Sequence, residues 1–133
     1  MFSVPVTRIA QYSLQIVSFK KGGATITNNE LNIIFDEQVK RCEAVLLHKG
    51  KEYAPDETDR LSSFKAAAVL LHCTQPEALC GMLAKHIVSV YDMCLAGAEH
   101  YGVDAWDEKI TDSINYLILL KAIVKEEQSH RQN

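Results

Sequence analysis

The segment from Ala78 to Ala98 constrains the fold more than any other part of the chain. Within it the only charged, imidazole or aliphatic-hydroxyl side chains are Lys85, His86, Ser89 and Asp92. The rest are apolar residues, glycine and Tyr91. Such a helix needs covering on most of its circumference. Lys85, Ser89 and Asp92 fall at i, i+4 and i+7 and therefore share one stripe. Two readings follow. The segment is a core helix with one narrow solvated strip, or its polar line faces a site inside a helical bundle. A buried charge must be paired, so the second reading demands a partner stripe elsewhere.

The surrounding sequence suits a helical domain. Its 133 residues are the length of one ordinary domain, with 47% hydrophobic and 23% charged residues. Six glycines and three prolines are too few for a many-turned all-β fold. Fourteen basic against 17 acidic side chains leave a net charge of −3. That balance speaks against strong nucleic-acid backbone binding, which needs a clustered basic excess. Cys42, Cys73, Cys80 and Cys94 lack the spacing of a zinc knuckle or CxxC motif, and each sits among apolar residues. Free thiols in a reducing cytoplasm are the expectation. Residues 4–19 lack a basic leading region and are interrupted by Pro5, Arg8, Gln11 and Gln15, unlike a secretory signal. The stretch Ile114 to Val124 is too short and too polar to span a bilayer, so no membrane partner is expected.

Residues 1–27 read as a separate extension. Gln11 to Val17 partly alternates, and Lys21-Gly22-Gly23 precedes Ala24 to Thr27, as in a β-hairpin. Thr27 and Glu30 then form a capping box. Leu31, Ile34, Phe35, Val39, Cys42, Val45 and Leu46 lie on one face of a first helix that Gly50 should end. Residues 50–58 read as a loop. A second helix is expected over about 59–72 and a third over about 75–98, the latter opened by a Thr74–Glu77 box with Pro76 in its first turn. A fourth should run from about 105 to 127, with Asp104 as its N-cap and residues 128–133 frayed. The predicted fold class is all-α: a bundle-like core of four helices over residues 28–127, behind a poorly defined extension.

The fourth helix supplies the partner stripe. Glu108, Asp112 and Asn115 repeat the i, i+4, i+7 spacing, and the same face turns apolar farther along. A stripe that is acidic at one end suits the mouth of a bundle pocket. The plainer reading is an exposed first half, with Asp107 and Glu108 favouring the positive helix end. Glu37, Arg41, Glu43, Lys49, Lys51, Glu52 and Tyr53 follow from the first helix and its loop, and Arg60 and Lys65 from the second. Singly each reads as a surface group. Together they suit carboxylates on a divalent metal and cations on phosphates. His86 is either a base, a phosphate contact or a hydrogen-bonded core residue. No P-loop, GxGxxG or HExxH motif is present.

Several runs, taken in order, carry a resemblance. They are Lys49 to Ala54, Arg60 to Lys65, Lys85 to Met93 and Trp106 to Tyr116. They resemble the nucleotide modification associated domain 1 family, small helical proteins of phages and prophages, over about residues 28–127. That resemblance implies a cytoplasmic protein linked to nucleotide metabolism or DNA base modification. A looser similarity is to the MazG-like all-α nucleoside triphosphate pyrophosphatases, which hold Mg²⁺ on an ExxE pair and a later ExxD pair. This chain departs from that pattern. Glu37 and Glu43 are six residues apart and not co-facial, while Glu108 and Asp112 are four apart.

The leading expectation is a nucleotide-handling protein, with metal-dependent pyrophosphohydrolysis as its reaction. Asp92, Glu108 and Asp112 are the candidate Mg²⁺ ligands, and His86 the candidate catalytic base. Lys49, Lys51, Tyr53, Arg60, Lys65, Lys85, Ser89 and Asn115 are the candidate substrate contacts. The alternative is a non-catalytic accessory protein in which Lys85, Asp92, Glu108 and Asp112 form an ion network that fixes helix register. Either way, covering a helix like 78–98 makes a homo-oligomer an expectation.

Overall fold

A computed structural model describes residues 25–53 and 59–132. The suggested hairpin lies outside the described residues, apart from 25–27, which have no regular structure. The fold is all-α. Helices α1 (Asn28–Tyr53), α2 (Ser62–Leu71), α3 (Gln75–Ala96) and α4 (Val103–Arg131) follow in order, with a single 3₁₀ turn, Ala98–His100, before α4. The chain divides into two compact units, residues 1–41 and 42–133.

In the first unit, the described residues are the lead-in and the opening turns of α1. The capping box forms as its sequence dictates. The Thr27 backbone N–H donates to Glu30 Oε2 at 2.8 Å, and the Glu30 N–H donates to Thr27 Oγ1 at 3.2 Å. Two otherwise orphaned donors are thereby satisfied.

The second unit holds the core. Leu61, Phe64, Leu79 and Ile123 form its buried centre, with Met82, Leu83, Tyr116, Leu119 and Leu120 packed against them. α3 packs along α4, and α2 packs on α3. Lys65 of α2 is clamped between Asp59, at 2.8 Å, and Glu126 of α4, at 2.7 Å. These contacts hold its ammonium above the ordinary lysine range, the hydrogen bond to Asp59 being the larger cause.

The helix ends show which local signals survive packing. α3 opens on the expected box: the Thr74 N–H donates to Glu77 Oε2 at 2.7 Å, and the Glu77 N–H to Thr74 Oγ1 at 3.3 Å. Thr74→Ala should lower unfolding free energy by about 0.5–2 kcal/mol, read by urea denaturation. α2 ends at His72, whose φ of 51° is left-handed, and the Cys73 N–H closes back on the Ala68 carbonyl at 3.0 Å.

Several expected boundaries shift; α2 starts at Ser62 rather than near 59, and α3 ends at Ala96 rather than near 98. α1 does not stop at Gly50 but continues to Tyr53. A Cβ on Gly50 would come within 3.2 Å of Arg60 Nε. The glycine therefore makes room for a neighbouring side chain rather than turning the backbone. α4 starts at Val103, with Gly102 as N-cap and Asp104 inside the first turn. The Trp106 indole N–H donates to the Ala98 carbonyl at 2.9 Å and ties this entry to the preceding turn. α4 also runs on to Arg131, because no glycine or proline interrupts residues 127–131.

Among the described residues, α3 is buried along one side and exposed along the other. Ala78, Leu79 and Met93 are buried, whereas Ile87, Val88, Tyr91 and Leu95 are exposed. By length and composition α3 is apolar enough to cross a membrane, with a mean hydropathy of 1.3 over 18 residues. It is longer than Ile114–Val124, the stretch that stands out as apolar in the sequence.

Candidate functional site

A cavity of about 220 Å³ opens in the second unit, beside the core. Its apolar wall comes from Leu46 of α1, Phe64 of α2, Met82 of α3, and Tyr116 and Leu119 of α4. Its polar lining is Lys49, Arg60, Ser63, Asp112 and Asn115. One face of α4 thus contributes Asp112, Asn115, Tyr116 and Leu119, which lie within two turns. α1 contributes Leu46 and Lys49 at i, i+3 spacing, and α2 contributes Ser63 and Phe64.

Asn115 is the most constrained of these groups. It is 5% exposed, and its Nδ2 donates to the Cys42 carbonyl at 3.2 Å. A carbonyl accepts only from the NH₂ side of an amide, so that bond fixes which way the group faces. Among the described residues, Asn115 Oδ1 is then left buried without a hydrogen-bond partner. An acceptor in that state is costly unless something donates to it.

Asp112 anchors the charged side of the cavity. Lys49 Nζ lies 3.3 Å from Asp112 Oδ1. His86 Nδ1 lies 3.9 Å from Oδ2, close enough for attraction and too far for a hydrogen bond. The His86 ring stacks at a 33° tilt on Tyr116, with centroids 5.0 Å apart. Its side chain is 12% exposed. Burial pushes the imidazole below its ordinary value, against the upward pull of Asp112; Lys85, Lys109 and Lys49 add to the depression.

A lowered folded value means that the unfolded chain takes up the proton first. His86 therefore supports stability fully above the ordinary histidine value. That support is lost as pH falls from there through the lower folded value. The melting temperature should drop on acidification from pH 7 toward 5. A His86→Gln variant should show a shallower drop in the same scan.

The candidate residues fall into two groups. Lys49, Arg60, Asp112 and Asn115 come together around the cavity, with His86 against Asp112. Among the described residues no carboxylate pairs with Arg60. Lys51, Lys85 and Asp92 are exposed and do not line the cavity. Ser89 Oγ donates to the Lys85 carbonyl of its own helix at 2.9 Å. Lys65 is held by its two carboxylates, and Tyr53 closes α1. Glu108 is exposed, with Lys109 at 3.6 Å.

The stripe of Lys85 and Asp92 therefore does not face α4; His86, about 100° round α3 from Lys85, lies against Asp112 of α4. Among the described residues no three His, Cys, Asp or Glu side chains gather as a metal requires. Of the proposed trio, Asp92 and Glu108 are exposed, whereas Asp112 lines the cavity. Ser63 and Tyr116 are lining residues that the sequence reading missed. Tyr116 had a signal, standing four residues after Asp112 on the same helical face. Ser63 had none.

The class of protein so defined is an all-α protein with a polar-rimmed cavity among its described residues. No family model, curated protein or solved structure matches the chain.

Proposed function

We propose that this protein binds a small phosphorylated ligand with a flat, hydrogen-bonding ring, and that the ligand is a nucleotide. The observation that carries this reading is Asn115, a lining residue whose Oδ1 is buried with no partner among the described residues, beside a cavity walled by Phe64, Met82 and Tyr116. An apolar slot with a buried acceptor suits a heterocycle bearing an N–H or amino donor. The size agrees. At ~30 Å³ per water the cavity displaces roughly seven waters. It is also smaller than the ~300–1,000 Å³ of drug-sized sites. One ring fits inside, and the phosphates remain at the opening. Arg60 meets them there, its planar fork matching phosphate oxygens. Lys49 is shared between the phosphates and Asp112.

The resemblance to phage nucleotide-modification proteins agrees with this ligand class. Among the described residues the candidate Mg²⁺ ligands Asp92, Glu108 and Asp112 form no metal-holding group. Thermal shift of the purified chain against mono-, di- and triphosphates of the four bases, with and without Mg²⁺, tests the reading. A ligand at a hundred times its dissociation constant adds about 2.7 kcal/mol to apparent stability. Arg60→Ala should lose most of the phosphate-dependent part of the shift. Pyrophosphate assayed in the same wells reports whether binding leads to hydrolysis.

The non-catalytic accessory reading has an observation of its own. The Lys49–Asp112 pair and the Asn115–Cys42 bond both cross from α4 to α1 and would hold their register without any ligand. It predicts no shift with any nucleotide.

A further inference from the structure

We infer that the exposed face of α3 pairs with the same face of a second copy of this chain, antiparallel and about a two-fold axis. This inference is independent of what the cavity binds. Ile87, Val88, Tyr91 and Leu95 stand exposed on this face, Leu95 at 71% and Tyr91 at 64%. At 100° per residue they form a continuous strip with Cys80, Gly81 and Ala84, all exposed, opposite the buried Leu79 and Met93. A contiguous apolar strip of this kind marks an interaction surface.

The strip is complementary to its own reverse. Its first half is small: Gly81, around which a side chain would meet open space, and Ala84. Its second half is large, with Tyr91 and Leu95. Set antiparallel, Leu95 comes over Gly81 of the second copy, and Tyr91 over Ala84. Both pairings place the two-fold axis at residues 87–88.

Charge points to the same axis. Lys85 and Asp92 flank the strip on one edge, about 20° apart around the helix and ~10 Å apart along it. A two-fold axis across an antiparallel pair keeps that edge on the same side in both copies. Lys85 then meets Asp92 of the second copy, twice, with the axis between Val88 and Ser89. Three independent pairings agree to within one residue, as an isologous contact requires. A bilayer is a poorer occupant of this face. It would desolvate Lys85 and Asp92 near the middle of the helix and strip α3 from the Leu79 and Ile123 core.

Light scattering and sedimentation of the full chain should show a dimer. Lys85→Glu and Asp92→Lys each place like charges across the axis and should weaken association by about tenfold or more. The double variant should restore it. Both positions are exposed, so circular dichroism should show all three variants folded. The native thiols give a second readout. Cys80 and Cys94 are exposed on the opposite edge, at positions that also exchange about residue 87. A short bismaleimide should join Cys80 of one copy to Cys94 of the other. A monomer at tens of micromolar would overturn the inference. So would single reversals without effect, cross-links of Cys80 to Cys80 or Cys94 to Cys94 alone, or partition of the wild-type chain into phosphatidylcholine vesicles in place of dimer formation.

Discussion

Leu79→Ala should cost about 2–5 kcal/mol of unfolding free energy, a large share of what holds a domain of this size together. Leu79 is fully buried, and it is central to the cluster with Leu61, Phe64 and Ile123. Truncation removes the transfer free energy of the lost carbons. It also leaves a void that surrounding helices only partly close. The upper end of the range is expected, because Phe64 and Ile123 are anchored on other helices and cannot both move in. Urea denaturation by circular dichroism measures the effect as a lower midpoint at unchanged slope. Ile123→Val, which removes one methylene at the other fully buried position, should cost only about 0.5–1.5 kcal/mol. A Leu79→Ala protein as stable as wild type would mean that α3 is not seated as described.

Asn115→Leu should separate binding from stability. Leucine shares asparagine's branched four-atom skeleton though its methyls are bulkier, and the substitution removes both halves of the amide. The half that donates to the Cys42 carbonyl is worth about 0.5–1.5 kcal/mol. The half that carries the unpartnered Oδ1 costs ~1–3 kcal/mol of desolvation. These oppose one another, so stability should stay within about 1 kcal/mol of wild type or rise. Ligand recognition has no such offset. A bound ring would lose the buried acceptor that Asn115 offers and keep its own donor unsatisfied. Affinity should then fall about 10- to 100-fold, the equivalent of ~1.4–2.8 kcal/mol. Isothermal titration alongside denaturation reads both quantities. Unchanged affinity would remove Asn115 from the site, and a large loss of stability would make its role structural.

Much of the fold was legible along the chain, and the reasons are local. The two capping boxes depend on residues three apart, so Thr27–Glu30 and Thr74–Glu77 form as written. Gly50 misled, because a glycine after a long apolar face is a stop signal only if the backbone turns there. Here it faces Arg60, which is distant in local pattern and close in space. The stripes of α3 and α4 were equally legible as spacing, and spacing is silent about direction. Asp112 and Asn115 turn inward while Glu108 remains outside. On α3, His86 turns inward while Lys85 and Asp92 face solvent.

Periodicity and capping chemistry by themselves determined that this chain is helical, roughly where each helix begins, and that α3 carries one charged line on an apolar cylinder. Those properties rest on interactions within a few residues, which any sequence displays. Tertiary packing decided which side of each cylinder is covered. It chose the cavity lining, left Asn115 Oδ1 without a partner, and turned the apolar strip of α3 outward. The rotation of a helix about its axis is set by the sum of its contacts with its neighbours, and no single segment contains that sum.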